Sequence, residues 1–304
     1  MNRMVPDTLY SPADCGKSAV GPLVWLSLAV AIACSPPPAT GGGDSPGRVI
    51  RVMTYNIQAG GGQLENVAEA IRGVTPDVVA LQEVDVHWSD RSAFADQAAQ
   101  LSKSLGMQAR FARIYRFAPA DSAGPPREYG VALLSKCPIL SFTNHTLTRL
   151  STQEANAAPA PMPGFLEASV NLGGATVRVF NTHLDYRADP AIRQQQVAEM
   201  LAIIGESPGP TLLLGDLNAQ PEAPELQPLF GKLKDVWSSR EERGFTYPAA
   251  LPDRRIDYIL ASPHFRARSV RVPVTQASDH RPVVADLILP GDSDGHKGSC
   301  DADG

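Results

Sequence analysis

TLLLGDLNAQPE, residues 211–222, sets three leucines, Leu212, Leu213 and Leu214, ahead of Gly215, Asp216 and Asn218. A short continuous apolar run closed by turn residues is the pattern of a strand buried on both faces. A carboxylate and an amide at the end of such a strand call for an explanation beyond packing.

Working outward, strand-like and helix-like stretches alternate from Val49 to about Pro290 with no linker between them. RVIRVMTYNIQ (48–58) and DVVALQEVD (77–85) read as strands, with LENVAEAIRGV (64–74) between them as an amphipathic helix. A second helix is predicted over Ser92–Leu105, stopped by Gly106, and a third over Pro190–Ile204. YGVALLSK, FLEASVNL, ATVRVFNTHLD, RIDYILAS, ARSVRVPVT and RPVVADLIL complete the strands. Many strands with interspersed helices, without strict βαβ alternation, predict an α/β domain of two packed sheets with helices outside, spanning residues 49–290.

The ends of the chain differ in composition. Leu23–Ala33 has the length of a signal-peptide apolar region and closes on Ala31-Ile32-Ala33 before Cys34, an ending that resembles a bacterial lipoprotein signal. Residues 1–33 are therefore expected to be a signal peptide, residues 34–48 a flexible Pro/Gly/Ser linker and residues 291–304 a disordered acidic tail. The expectation is a monomer exported to the periplasm or beyond, with a lipid anchor to the membrane through Cys34 favoured over plain secretion. Cys15, Cys34, Cys137 and Cys300 show no metal-ligand spacing, and Cys137 reads as a small buried hydrophobe. A net charge of −5 gives no global basic footprint for nucleic acid, and no stable nucleic-acid partner is expected.

Other strands end as the first one does. Asn56 follows VMTY, Glu83 follows VVALQ, His183 follows VRVFNT, Asp257 sits in RIDYI, and Asp279-His280 precede the last strand. Two amides, four carboxylates and two imidazoles at comparable positions form the inventory of a hydrolytic site using a hard, oxygen-binding metal. The sequence has no zinc-type ligand pattern, no Gly-x-x-x-x-Gly-Lys phosphate loop and no Gly-x-Ser-x-Gly elbow.

MTYNI, LQEVD, YGVALLS, NTHLD, GDLNA, RIDYIL and SDHRP occur in this order from about Val52 to Leu289. In this the sequence resembles the endonuclease/exonuclease/phosphatase superfamily of deoxyribonuclease I-like proteins. The resemblance implies a four-layered α/β sandwich and a metal-dependent phosphoric ester hydrolase. It implies Mg²⁺, with Mn²⁺ as a substitute, held by Glu83 with Asn56 beside it and Asp279 nearby. By the same resemblance Asp216 holds the attacking water, Asn218 contacts that water or the phosphate, and Asp257 orients His280. His183 donates to a phosphate oxygen or protonates the leaving group. Arg127 and Tyr129 are further substrate-binding candidates, whereas His87, His145 and His264 fit no motif and read as structural or surface residues.

By the same resemblance the expected substrate is a phosphodiester. Lipid or glycolipid head groups are slightly favoured, and an exported endonuclease acting on DNA or RNA is the alternative. A non-catalytic binding protein of the same fold is the alternative of another class. Substrate choice is expected to reside in the stretch between Arg116 and Arg127, in STQEANAAPAPMPG (151–164) and in ERGFTYPAALPDR (242–254).

Overall fold

A computed structural model of the chain describes residues 47–121, 123–206 and 208–289. The expected leader, most of the linker and the tail lie outside them, and the first strand already begins at Arg48. In chain order the strands are β1 (Arg48–Asn56), β2 (Val78–Val86), β3 (Gln108–Phe117), β4 (Arg127–Ser135), β5 (Ile139–Arg149), β6 (Ala160–Leu172), β7 (Ala175–His183), β8 (Thr211–Asp216), β9 (Lys234–Asp235), β10 (Asp257–Ala261), β11 (Arg266–Arg271) and β12 (Val283–Leu289). The α-helices are α1 (Leu64–Val74), α2 (Gln97–Leu105), α3 (Ala191–Ile204) and α4 (Gln227–Lys232).

The strands form two six-stranded sheets, ordered β11-β12-β1-β2-β4-β3 and β5-β6-β7-β8-β10-β9. Both are mixed: β1 runs parallel to β2, β7 runs parallel to β8, and the other pairs are antiparallel.

The three leucines of β8 show how the layers stack. Leu212 and Leu214 point into the core between the sheets, among Val177, Val179, Val52 and Ala285. Leu213 points the other way, to Val197, Met200 and Ile204 of α3 and Leu229 of α4. Each leucine so buried contributes about 2 kcal/mol of burial free energy. β1 and β2 repeat the scheme, with Met53, Tyr55, Val79 and Leu81 turned outward onto Val67 and Ile71 of α1 and Leu101 of α2. The result is the expected helix–sheet–sheet–helix sandwich.

Several boundaries differ from the sequence reading. α2 starts at Gln97, not Ser92, because the Asp96 carboxylate accepts from the Ala99 N–H at 2.9 Å and caps the helix there. Its far end is as expected, with Gly106 at φ 63° in the left-handed cap. β6 begins at Ala160, so the end of the Pro-rich stretch 151–164 is strand rather than loop. β3, β5, β9 and α4 are not among the elements expected from the sequence. Cys137 is fully buried in the apolar core between the sheets, as expected of a small hydrophobe, and is disulfide-bonded.

Candidate active site

Strand register gathers the polar residues at one end of both sheets. His183 pairs with Asp216 across β7–β8, and Asp216 with Asp257 across β8–β10. On the other sheet Asn56 ends β1 beside Gln82 of β2. The β2–β4 register shifts between Leu81 and Val84, and Glu83 sits in this irregularity with φ 56°. Asn218 adopts φ 51° just after β8. Left-handed backbone is uncommon for residues other than glycine, and it clusters where a side chain must be aimed.

A buried polar layer lies below these residues and joins the sheets. Gln82 Nε2 donates to Asn181 Oδ1 at 2.7 Å, and Asn181 Nδ2 donates to the carbonyls of Leu81 (2.9 Å) and Ala132 (2.8 Å). Above it Asn56 Nδ2 donates to Glu83 Oε1 at 3.0 Å and to Asp216 Oδ2 at 3.1 Å, linking a carboxylate of each sheet. The Ser278 hydroxyl donates to the Asn56 carbonyl at 2.8 Å, which fixes the loop carrying Asp279 and His280.

Asp216 lies at the centre. Its Oδ1 accepts from the Asn218 N–H at 2.9 Å, and its Oδ2 is 3.6 Å from His183 Nε2 and 3.7 Å from His280 Nε2. Burial, then the Asp257 charge, push the Asp216 carboxyl up to about 6, against the pull of the two imidazoles and Asn56. His280 Nδ1 meets Asp257 Oδ2 at 2.9 Å, and its ring packs 4.7 Å from that of Tyr247. Burial opposes charge on His280, but Asp257, Asp216 and Asp279 outweigh it and bring its pKa up to about 10. The Nδ1 proton is thereby directed at Asp257 and Nε2 at Asp216. Asn218 Nδ2 donates to the Leu184 carbonyl at 3.0 Å, a bond that holds its amide plane.

Two groupings offer ligands for a divalent cation. Asp216, Asp257 and His280 present ligand atoms within 4.8 Å of one another, and Asp257 Oδ1 is buried with no hydrogen-bond partner. Within that grouping, however, His280 Nδ1 is engaged by Asp257, and the raised basicity of the ring favours a proton over a metal. Glu83 and Asp279 offer carboxylate oxygens, the donors that Mg²⁺ prefers. Asn56, expected among the ligands, instead turns its Nδ2 to Glu83 and accepts the Gln58 N–H on its Oδ1 at 3.1 Å, so it holds the Glu83 carboxylate in place. Burial, then the Glu83 charge, raise the Asp279 carboxyl, a repulsion that a cation between the two would relieve. The chemistry of this second set fits Mg²⁺ better.

Glu83, Tyr129, His183, Asp216, Asn218, Asp279 and His280 line a cavity of about 460 Å³, and Asn56 and Asp257 stand behind that lining. Tyr129 faces Glu83, and burial followed by that charge holds its phenol well above the ordinary range, so it remains a hydrogen-bond donor. Arg127 is not among the lining residues. Its Nε donates to the Ala118 carbonyl at 2.9 Å, and its guanidinium lies 5.8 Å from the Phe117 ring centre. His87, His145 and His264 also stand outside the lining, engaged by the Phe94 carbonyl, Glu167 and Ser262. The sequence reading missed Tyr115, Arg149, Tyr247 and Arg254, which do line the cavity. Only the last two had a signal, since they lie in the stretch 242–254 that was expected to shape substrate choice.

The chain is similar to several known proteins. YbhP of Escherichia coli K12 is 25% identical over 264 residues, covering 79% of this chain and 96% of that protein. UPF0294 protein VV2535 of Vibrio vulnificus is 30% identical over 106 residues, which span 33% of this chain and about a third (34%) of that relative's length. The crystal structure of an endonuclease/exonuclease/phosphatase from Beutenbergia cavernae superposes with a TM-score of 0.63 at 25% identity, covering 80% of this chain and 72% of that one. Residues 53–280, from the strand before Asn56 to His280 itself, match the Endonuclease/Exonuclease/phosphatase family, and the chain belongs to that family.

Proposed function

We propose that the protein is a Mg²⁺-dependent phosphodiesterase acting on a phosphodiester of lipid or glycolipid head-group type. The observation that carries the reading is the placement of two imidazoles, His183 and His280, 3.6 and 3.7 Å from one Asp216 oxygen, in a cavity also lined by the carboxylates Glu83 and Asp279. A hydrolytic site needs a base for water, a donor for the leaving alkoxide and charge to offset the phosphate, and this set provides all three.

Glu83 and Asp279 would hold the cation, with Asn56 fixing the Glu83 carboxylate, and the cation when bound withdraws charge from a phosphoryl oxygen. Asp216 accepts a proton from the attacking water, and its raised basicity suits it to that task. Asp257 keeps the His280 ring oriented with Nε2 toward Asp216, so that His280 donates to phosphoryl oxygen. His183 donates to the other side or protonates the leaving oxygen. The Asn218 amide, anchored on Leu184, orients the water or phosphate.

The head-group preference is supported by the net charge of −5 and by a cavity wall of tyrosines and single arginines rather than a basic strip. A nuclease reading is favoured by Arg187 at 5.2 Å from the Tyr186 ring and Arg254 at 4.8 Å from the Tyr247 ring, paired cations and rings of the kind that grip single strands. Assay with Mg²⁺ against bis-p-nitrophenyl phosphate, sphingomyelin, phosphatidylinositol, plasmid DNA and RNA separates them, with Asp216→Asn as control. Chelator-sensitive cleavage of the lipids is expected. Cleavage of plasmid with the lipids untouched overturns the preference, and loss of no activity in Asp216→Asn overturns the site. Export as a monomer with an acylated Cys34 belongs to the same proposal, and an intact mass that begins at an unmodified Met1 refutes it.

A further inference from the structure

Three arginines are buried among the described residues: Arg149, Arg193 and Arg255. Arg193 meets Glu225 at 2.7 Å and Arg255 meets Asp235 at 2.7 Å. Arg149, at the end of β5 and 7% exposed, has no carboxylate within 4.0 Å among the described residues, and it lines the cavity beside His183.

Its guanidinium donates to three backbone carbonyls instead: Nε to Pro163 at 3.1 Å, Nη1 to His183 at 2.9 Å and Nη2 to Gly164 at 3.0 Å. A guanidinium has five N–H donors, so two are left over. Three carbonyls could be served by neutral amides without the cost of burying a charge. Neighbouring carboxylates are already engaged. Asp185 is paired with Arg187, and Glu199 accepts from the Thr148 N–H (2.6 Å) and hydroxyl (2.7 Å). Burial lowers the Arg149 pKa to about 10, which leaves it charged at neutral pH. The cavity lining thus carries the carboxylates Glu83, Asp216 and Asp279 and, elsewhere, the Arg149 guanidinium with Tyr115 and Tyr129 nearby, the lining carboxylate Asp185 being taken up by Arg187.

We propose that Arg149 is a substrate-binding residue whose missing counter-ion is the phosphoryl anion of the substrate, received against His183. This rests on the phosphoester reading above and adds the anion subsite to it. An anion seated there is held by charge-assisted N–H groups and stands next to the residue whose carbonyl Arg149 already holds.

Inorganic phosphate is the probe, titrated calorimetrically into EDTA-treated full-length protein, alongside steady-state kinetics on bis-p-nitrophenyl phosphate. Arg149→Met is expected to weaken phosphate binding at least tenfold and to raise KM by a similar factor with a smaller change in kcat. Arg149→Lys should recover part of the phosphate affinity, and Arg110→Met, on the exposed face of β3, should match wild type. Arg149→Met with phosphate affinity and KM within twofold of wild type would reduce the residue to a backbone clamp and overturn the inference. Should Arg149→Met fail to fold, a wild-type crystal soaked in phosphate decides. An oxygen within hydrogen-bond distance of an Arg149 Nη supports the subsite, and phosphate held elsewhere with Arg149 untouched refutes it. Phosphate bound through Arg149 by a protein that cleaves no phosphoester would sink the enzymatic reading and leave the subsite standing.

Discussion

His280 and Asp257 meet at 2.9 Å although they come from different sheets, His280 from the loop before β12 and Asp257 from the first position of β10. The bond sets the ring orientation that points Nε2 at Asp216. Asp257→Asn keeps a side chain of the same shape but removes the charge that stabilises the imidazolium. Turnover is expected to fall by about 10²–10⁴-fold, with the far-ultraviolet circular dichroism unchanged. A variant within threefold of wild type would show that ring orientation is not limiting.

The same pair predicts how stability varies with pH in metal-free protein. The folded His280 pKa of about 10 lies above the ordinary histidine value of 6.5, so the folded state binds the proton more tightly than the unfolded chain. The stabilisation is complete below about pH 6.5 and is lost as pH rises through about 10. Denaturant midpoints measured between pH 6.5 and 10 should therefore decline in the wild type. The slope should be shallower in Asp257→Asn, which lacks the strongest of the interactions that raise the pKa.

Asp216 should display a conflict between activity and stability. Its carboxyl is pushed up to about 6 because charge at this buried position, next to Asp257, is unfavourable. Asp216→Asn removes that charge and keeps an acceptor for Asn218. Activity is expected to drop by at least about 10²-fold, while thermal unfolding at pH 8 shows a gain on the order of 1 kcal/mol. Loss of both together would mean that the carboxylate is needed for folding.

Gly215 is a backbone requirement of β8. It has φ 154°, and a Cβ there would stand 2.2 Å from the Thr182 carbonyl oxygen of β7. Gly215→Ala is expected to destabilise the domain by about 2 kcal/mol or more, read from urea unfolding. It should also reduce turnover, because it parts the strands that carry His183 and Asp216.

Much of this architecture was legible in the sequence where apolar periodicity was strong. β1, β2, β7, β8 and α1 bury one face or two and announce it. β3 and β5 were not legible, and both are outermost strands of their sheets. QARFARIYRF mixes arginines with aromatics, and ILSFTNHTLTR is mostly polar, because an edge strand with one face in solvent needs little apolar surface. The carboxylates and imidazoles Glu83, His183, Asp216, Asp257, Asp279 and His280 were legible as polar residues at the ends of strands. Gln82 and Asn181 were not, since an amide inside an apolar strand looks like an interruption until its partner on the opposite sheet is seen. Arg149 was missed for a related reason: it ends a strand that was itself unrecognised.

The Asn56 amide, bonded to Glu83 on its own sheet and to Asp216 on the other, also has a mechanical meaning. The sheets that carry those carboxylates are held apart by the valine, leucine and alanine layer beneath them, so that layer governs the interval between the two groups. That layer acts as a gauge block, and the hydrocarbon interior is part of the instrument that measures out the reacting centre. Shaving a methylene from Val179 or Leu214, well inside the molecule, would retune the reaction before it unfolded the protein.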